Sequence, residues 1–393
     1  MTGLIVHEWI EKFGGAEKVL DAMTKSYPKA PIRCLWNDAP ERYSPGVVTE
    51  SWMAKTPLRR HKALALGAMP STWKATNIRD FDWVLVSSHL FAHHVGGRVS
   101  RQEVPVFVYA HTPARYIWSP ELDSRGDRAL FRGASNILRR LDKRAAQSGA
   151  SYAANSQYVQ SRMARTWEVD AKVIYPPVST SFLQSVDSWQ NRLVDQDEKT
   201  FNSLPSEFIL GASRFVEYKK LDTVIEVGEK CRLPVVLAGS GPELGRISKR
   251  AMESSVPVTV INSPSNDLLY ALYEKALVYV FPPVEDFGIM PVEAIALGTP
   301  VLVNSEGGAA ETVALTGGGS SLNFASSLGN ISEALEAALA ADMRTARLRA
   351  HIFSEEAFMR NVKSWMGQTD TVYGSPDSRD DLENTDHRLS RRE

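Results

Sequence analysis

The sequence predicts an α/β protein built from two doubly wound parallel-sheet domains that face each other across a cleft. Three observations predict it. Short continuous apolar runs alternate with segments of helical period, the pattern of strands buried on both faces of a parallel sheet. That alternation stops around Tyr175-Pro176-Pro177-Val178 and restarts at Phe208. The length, 393 residues, exceeds what one hydrophobic core ordinarily organises, so two units are expected.

In chain order, Leu4-Ile5-Val6-His7 reads as a short buried strand, followed by a loop with Gly14-Gly15 and a helix beginning at Ala16-Glu17. Trp83 to Ser87, Val104 to Tyr109 and Tyr152 to Asn155 continue the theme and complete a first domain at 1–178. Residues 179–205 are polar and without clear period, including Asp195-Gln196-Asp197-Glu198-Lys199, and read as a linker. The second domain, 206–352, carries strands at Phe208 to Ala212, Pro234 to Ala238, Val258 to Ile261, Val278 to Phe281 and Pro300 to Val303. A helix within 353–368 is expected to pack back on the first domain. From Thr369 to Glu393 the chain is charged and nearly free of apolar residues, which predicts a disordered tail.

Composition narrows the function. Apolar residues at 43% and charged residues at 23% are globular proportions and exclude a largely disordered, collagen-like or coiled-coil chain. Lys plus Arg number 45 against 46 Asp plus Glu, so the bulk charge gives no reason to cling to nucleic acid. Two cysteines, Cys34 and Cys231, cannot form a disulfide framework and lack zinc-site spacing, which fits a reducing, cytoplasmic setting. His7 and Glu8 interrupt the apolar stretch that a secretory signal needs, and no window of about eighteen apolar residues could span a bilayer, so any membrane role is expected to be peripheral.

The stretch from Phe281 to Pro300 is the richest in chemistry. It reads as strand, loop and helix, with Pro291 suited to the first helical turn and Gly298 and Pro300 to the exit. Glu285 then lies in the loop at the strand's carboxyl end and Glu293 near the helix start. The free N–H groups of Gly288, Ile289 and Met290, with the helix dipole, favour an anion such as a diphosphate. A carboxylate suits a sugar diol because its two oxygens can each accept an O–H. On these residues alone, Glu293 serving the dipole and Glu285 standing in solvent is the competing account. Arg214 and Lys219, just past the first strand of the second domain, offer a fork and a compact charge to a phosphate pair, or form a solvated basic loop paired with Glu217. Gly14 and Gly15 let backbone approach a ligand, or form a plain turn. His111 follows a strand end in the company of Thr112, Arg115 and aromatic residues, as in a sugar-contacting surface; a structural histidine is the alternative.

Taken together these residues resemble the retaining glycosyltransferase family 4, of the two-domain GT-B fold, from Gly14-Gly15-Ala16-Glu17 to about Phe353. The most specific match is the pair Glu285 and Glu293, separated by seven residues and followed by Ala-x-x-x-Gly-Thr-Pro. Ser213-Arg214 to Lys219, Ala238-Gly239-Ser240-Gly241-Pro242 and Gly307-Gly308-x-x-Glu311 support it. The resemblance implies that Glu285 lies beside the donor sugar, that Glu293 holds the nucleotide ribose, and that His111 contacts the donor hexose. It assigns neutralisation of the departing diphosphate to Arg214 and Lys219, without a metal, and implies retention of configuration by front-face attack. His111-Thr112-Pro113 and Arg214 to Lys220 look most like mannosyltransferases of bacterial surface-polysaccharide assembly. That favours GDP-mannose over a UDP-hexose as donor, and a glycan or polyprenyl-diphosphate-linked oligosaccharide as acceptor. Two departures stand out: Lys220 and Asp286 occupy positions where glycine is common.

Other readings are weaker. Asp80-Phe81-Asp82 precedes its strand and Asp195-Gln196-Asp197 lies in the polar segment, so neither Asp-x-Asp triplet is well placed to hold a cation. Gly239-Ser240-Gly241-Pro242-Glu243-Leu244-Gly245 imitates a dinucleotide fingerprint and makes an NAD-dependent oxidoreductase the rival enzyme, but it has a proline in the turn and no acid closing Val258 to Asn262. A catalytically silent binding subunit would have lost a ligand, whereas Arg214, Lys219, Glu285 and Glu293 are all present. Between Glu50 and Asp80 there is no acid; Lys55, Arg59, Arg60, Lys62, Lys74 and Arg79 interleave with Leu58, Leu64, Leu66, Met69 and Trp73. This predicts either a basic surface with apolar teeth for an anionic membrane or an ordinary amphipathic helix pair.

Overall fold

The computed structural model describes residues 2–97, 99, 101–118, 128–325 and 329–367. The tail expected from 369 onward lies outside the described residues. Two all-parallel sheets form the frame. The first contains β1 (Gly3–His7), β2 (Ile32–Cys34), β3 (Val48–Glu50), β4 (Trp83–Ser88), β5 (Val106–Ala110), β6 (Ser151–Ala154) and β7 (Lys172–Val173), in the order β3-β2-β1-β4-β5-β6-β7. The second contains β8 (Ile209–Ala212), β9 (Val235–Gly239), β10 (Val258–Asn262), β11 (Val278–Phe281), β12 (Val301–Asn304) and β13 (Gly319–Leu322), in the order β10-β9-β8-β11-β12-β13.

Alternate residues of a strand point to opposite faces, and each sheet uses this to build two cores. Leu4, Val6, Val84, Val86, Val106 and Val108 enter one core of the first sheet, while Ile5, Trp83, Leu85 and Tyr109 enter the other. In the second sheet Leu210, Val236, Tyr279 and Val301 point one way, and Ile209, Val235, Val278 and Leu302 the other. The central strands are therefore apolar on both faces along most of their length, with His7, Ser87 and Ser88 buried at their carboxyl ends, which is why their sequences show no alternation.

Residues 179–205 are not a free linker. They form helices at Thr180–Gln184 and Asp195–Asn202 and a 3-10 turn at Trp189–Arg192. Leu183, Trp189, Leu193, Phe201 and Leu204 are buried in the second domain's core. The polar majority hides these five anchors because they follow no single period. Of the two readings of the basic stretch, the apolar side chains favour the ordinary amphipathic one: Leu66, Met69 and Trp73 belong to the first core and Leu58 packs against it, leaving Leu64 as the exposed tooth. Arg59 pairs with Asp38, Lys62 with Glu11, and Arg79 approaches Glu103.

The domains are joined in three ways. The helix Glu355–Trp365 crosses to the first domain and places Phe358 and Val362 beside Ile5, Leu85 and Tyr109. The two crossover segments run together where Val178 N–H donates to the Phe353 carbonyl at 2.8 Å, and Val178, Phe287, Val292 and Phe353 make a small apolar cluster. Polar contacts complete the joint. Asp286 accepts from Arg115 Nε at 3.0 Å and from Arg162 Nη1 at 2.7 Å, and its carbonyl accepts from Ser156 Oγ at 2.5 Å. Glu311 accepts from the N–H groups of Gln157 and Tyr158, at 2.8 and 2.6 Å, capping a helix of the opposite domain.

Asp286→Asn removes the charge that faces two largely buried arginines, a type of loss that costs about 3–5 kcal/mol. The variant should keep its far-UV circular dichroism but show a larger radius of gyration by small-angle X-ray scattering; a radius equal to wild type would show that the other two contacts suffice.

Candidate active site

Both sheets reverse direction of growth between their first and fourth strands, β1 and β4 in one and β8 and β11 in the other, and a crevice opens beyond the carboxyl ends at such a point. The loops after β1, β8 and β11 therefore meet where the domains face each other.

The loop after β11 carries Glu285. It is held from behind by Gly307 and Gly308: a Cβ on Gly308 would lie 2.3 Å from the Asp286 carbonyl oxygen, and Gly308 N–H donates to the Glu285 carbonyl at 2.8 Å. Only residues without a side chain allow that approach. The loop after β8 carries Arg214 and Lys219 and is pressed against the turn after β9. A Cβ on Gly239 would sit 1.8 Å from the Ser213 carbonyl oxygen, and one on Gly241 2.4 Å from that of Phe215. These glycines thus serve packing of the Arg214 loop, and they follow the second strand of their sheet rather than the first, where a dinucleotide turn belongs.

Lys219 Nζ lies 2.6 Å from Glu285 Oε1, joining the two loops, and sits over the rings of Tyr218 and Phe281. Arg214 is the outlying member: it is exposed, and its Nη2 donates to Tyr218 Oη at 2.7 Å. Lys220, where glycine is common, adopts a left-handed conformation with φ 52°, a backbone state that costs an L side chain roughly 1 kcal/mol. The departure at Asp286 has a different meaning, because it supplies the clamp between domains.

Glu293 is buried in the first turns of the helix Ile289–Leu297 and accepts from Lys18 Nζ of the first domain at 3.0 Å. The helix Gly15–Ser26, which bears Lys18, begins beside the same place: a Cβ on Gly15 would lie 3.1 Å from Ile289 Cδ1. Neither N-cap residue, Gly14 or Gly288, makes a side-chain cap; the start at Gly288 leaves N–H groups open to an anion, whereas the carboxylate of Glu17 already lies against the first turn after Gly14, where a Cβ on Gly14 would meet it at 2.0 Å. Met290 packs against the second core.

His111 lies at the end of β5 with its Nε2 2.8 Å from Ser87 Oγ on β4. Burial, with the nearby His7, pushes its pKa down to about 3, so the ring is neutral at pH 7. Arg115, four residues on, grips Asp286, and its helix is pinned through Trp118, whose indole donates to Asp142 Oδ2 at 2.7 Å. Among the described residues, His93, His94 and Asp142 form the one group close enough to share a cation, but Asp142 also accepts from the indoles of Trp118 and Trp167, at 2.7 Å each. It is a buried fastening of the first domain, away from the loops named above.

Lys219, Glu285, Glu293, Gly14, Gly15, Gly288 and Ile289 thus converge on the interface, with His111 on the first-domain side and Arg214 at the rim. Sequence reasoning missed Lys18, Arg162 and Asp286. The sequence marks Arg115 only as a neighbour of His111. Asp286 had a signal in its departure from glycine; Lys18 and Arg162 lie on helix faces and had none.

The depressed pKa of His111 has a definite sign. Below pH 6.5 the unfolded chain takes up a proton that the folded ring refuses until about pH 3, so this histidine removes stability as pH falls through that window. His111→Gln should therefore lose less thermal stability than wild type between pH 7 and pH 4 in calorimetry; parallel curves would contradict the buried neutral ring.

Comparison with known proteins agrees with the two-domain fold. Residues 13–182 match the description Glycosyltransferase Family 4, and residues 195–352 match Glycosyl transferases group 1. An uncharacterized glycosyltransferase of Methanocaldococcus jannaschii is 31% identical over 162 residues, 38% of this chain and 40% of that protein. A GDP-mannose-dependent α-(1-6)-phosphatidylinositol monomannoside mannosyltransferase of Mycobacterium tuberculosis is 30% identical over 175 residues, 40% of this chain and 44% of that protein. The matches thus span less than half the length of these relatives. Among solved structures, Anabaena HepE in complex with UDP superimposes with a TM-score of 0.69 at 19% identity, covering 94% of this chain and all of that one. With a family 4 module followed by a group 1 module on two facing parallel-sheet domains, the chain belongs to the GT-B glycosyltransferases.

Proposed function

We propose that this protein is a retaining hexosyltransferase that moves mannose from GDP-mannose to a hydroxyl of a glycan or polyprenyl-diphosphate-linked oligosaccharide, in cell-surface polysaccharide synthesis. The observation that carries the reading is the meeting of the Lys219–Glu285 pair with the uncapped start of the helix Ile289–Leu297 and the Gly14-Gly15 loop. The Mycobacterium relative is named for GDP-mannose, which supports the base and sugar; the Anabaena neighbour holds UDP, which makes a UDP-hexose the second reading.

On this reading the diphosphate lies against the start of the helix Ile289–Leu297, facing the Gly14-Gly15 loop, and Lys219 exchanges Glu285 for phosphate oxygens when the donor binds. Arg214 closes over the outer phosphate. Glu293 accepts from the ribose hydroxyls, and His111 and Glu285 flank the hexose. The bond between the anomeric carbon and the β-phosphate oxygen breaks as the acceptor oxygen bonds to the same face. The acceptor proton passes to the departing phosphate. Charge accumulates on the diphosphate, and cations and N–H groups already in position stabilise it more than they stabilise the bound donor. No metal takes part.

Acceptor delivery belongs to the first domain. Lys55, Arg60 and His61 line a surface cavity of about 940 Å³, with Leu64 exposed nearby in the chain, and this smaller face replaces the broad basic surface as the candidate contact with an anionic membrane. No helix among the described residues is long and apolar enough to cross a membrane.

A donor screen by thermal shift with GDP-mannose, UDP-glucose, UDP-galactose and UDP-N-acetylglucosamine, followed by product analysis, tests the reading. GDP-mannose should give the largest shift and an α-linked product; stabilisation by a UDP-sugar alone would move the assignment to the second reading, and an inverted product would end the retaining mechanism. Lys219→Ala should lower kcat by roughly a hundredfold, and Glu293→Ala should chiefly raise the donor KM, by roughly tenfold or more. A chelator should leave turnover unchanged, and complete loss would contradict the metal-free mechanism.

A further inference from the structure

We propose that Tyr218 is a positioning residue of the diphosphate site: its hydroxyl holds the Arg214 guanidinium, so that Arg214 and Lys219, gathered at one phenol, are in place before a donor binds. The proposal rests on the diphosphate reading given above and deepens it.

A short, anchored turn builds the arrangement. Phe215 is fully buried; its N–H donates to the Ser240 carbonyl at 2.7 Å, and its own carbonyl accepts from the Glu243 N–H at 3.0 Å. With Phe215 fixed inward, the chain folds back on itself. Val216 N–H donates to the Arg214 carbonyl at 2.9 Å, and the N–H groups of Lys219 and Lys220 donate to the carbonyls of Val216 and Glu217 at 3.0 Å each. These bonds close the 3-10 turn Glu217–Lys219, and left-handed Lys220 leads from it into the helix Leu221–Cys231. Arg214 and Tyr218, four residues apart, meet as a result, and Arg214 Nη2 donates to Tyr218 Oη at 2.7 Å.

The same side chain reaches the other cations of the site. Lys219 Nζ lies 5.2 Å from the centroid of the Tyr218 ring. Tyr218 also acts on the opposite domain: burial opposes the charge of Arg115, but Asp286, Glu285 and the Tyr218 phenol outweigh burial and hold the guanidinium pKa above its ordinary value.

Holding Arg214 matters because of what it otherwise does. It is exposed, and the bond to Tyr218 is its one side-chain hydrogen bond among the described residues. A free arginine on a surface loses rotamer entropy when a ligand immobilises it, which subtracts from the affinity gained. An arginine already tied to Tyr218 has lost part of that freedom on folding. The tether occupies one of five N–H donors, so the rest of the fork remains for phosphate oxygens. What the Tyr218 hydroxyl supplies is therefore confined to the outer phosphate, the group that Arg214 covers, and it acts through Arg214 alone.

Calorimetric titration of the full chain with GDP and with GMP tests this in wild type, Arg214→Ala, Tyr218→Phe and the double variant. Tyr218→Phe removes the hydroxyl and keeps the ring beside Lys219. Arg214→Ala should narrow the preference for GDP roughly threefold, the scale of an exposed charge contact. Tyr218→Phe should narrow it by nearly as much, with the Kd for GMP unchanged in both, and the double variant should lose no more than Arg214→Ala alone. A Tyr218→Phe protein with the wild-type preference would overturn the proposal. So would a Tyr218→Phe loss that persists in full in the Arg214→Ala background, or one that falls equally on GMP. In each of those cases a wild-type preference for GDP leaves the diphosphate reading standing, whereas equal Kd values for GDP and GMP in wild type would end both.

Discussion

Asp286 accepts from Arg115 and Arg162 of the opposite domain at the point where the loop bearing Glu285 leaves β11. Two cations and one carboxylate, all largely sheltered, must be taken out of water together, and such an arrangement contributes less to net stability than to selecting one geometry, since removing any partner leaves charge uncompensated. The geometry selected here is the facing of the two crevices. The Ser156 hydroxyl on the Asp286 carbonyl and Glu311 on the opposite helix start extend the same constraint. The neighbouring residue, Glu285, inherits its position from this clamp.

Within that frame, small residues decide what can come close. Gly307 and Gly308 let one helix start grip the Glu285 loop, Gly239 and Gly241 let a turn support the Arg214 loop, and Gly15 admits Ile289. Each removes a side chain where backbone must approach backbone or a neighbouring domain. The result is an interface where the uncapped start of the helix Ile289–Leu297 supplies positive potential, and Lys18 and Lys219, each held by a carboxylate, stand beside it.

The central strands were legible because burial on both faces demands uninterrupted apolar residues, as in Trp83 to Val86 or Val278 to Phe281. The shortest strands and one edge were not. Ile32–Cys34, Val48–Glu50 and Lys172–Val173 are too short to show a period, and Gly319–Leu322, at the edge of the second sheet, has one large apolar residue, because a sheet edge needs fewer. Residues 179–205 misled for a related reason: Trp189 and Phe201 anchor a segment whose other residues face water. In the site, Glu285, Glu293 and Lys219 could be found because strand, loop and helix lie within a few residues of one another. Lys18 reaches Glu293 across 275 positions and Arg162 reaches Asp286 across 124, and a single sequence holds no record of such pairings.

The central claim is that the terminal phosphate of a nucleoside diphosphate is recognised at the junction of the two domains by Lys219 and the start of the helix Ile289–Leu297. Calorimetric titration with GDP and with GMP measures that phosphate directly, because the two ligands share base and ribose. The account predicts that GDP binds at least roughly tenfold more tightly than GMP, about 1.4 kcal/mol, and that Lys219→Ala erases most of the difference. Equal Kd values for the two nucleotides in the wild-type protein, or a difference that survives Lys219→Ala intact, would contradict it.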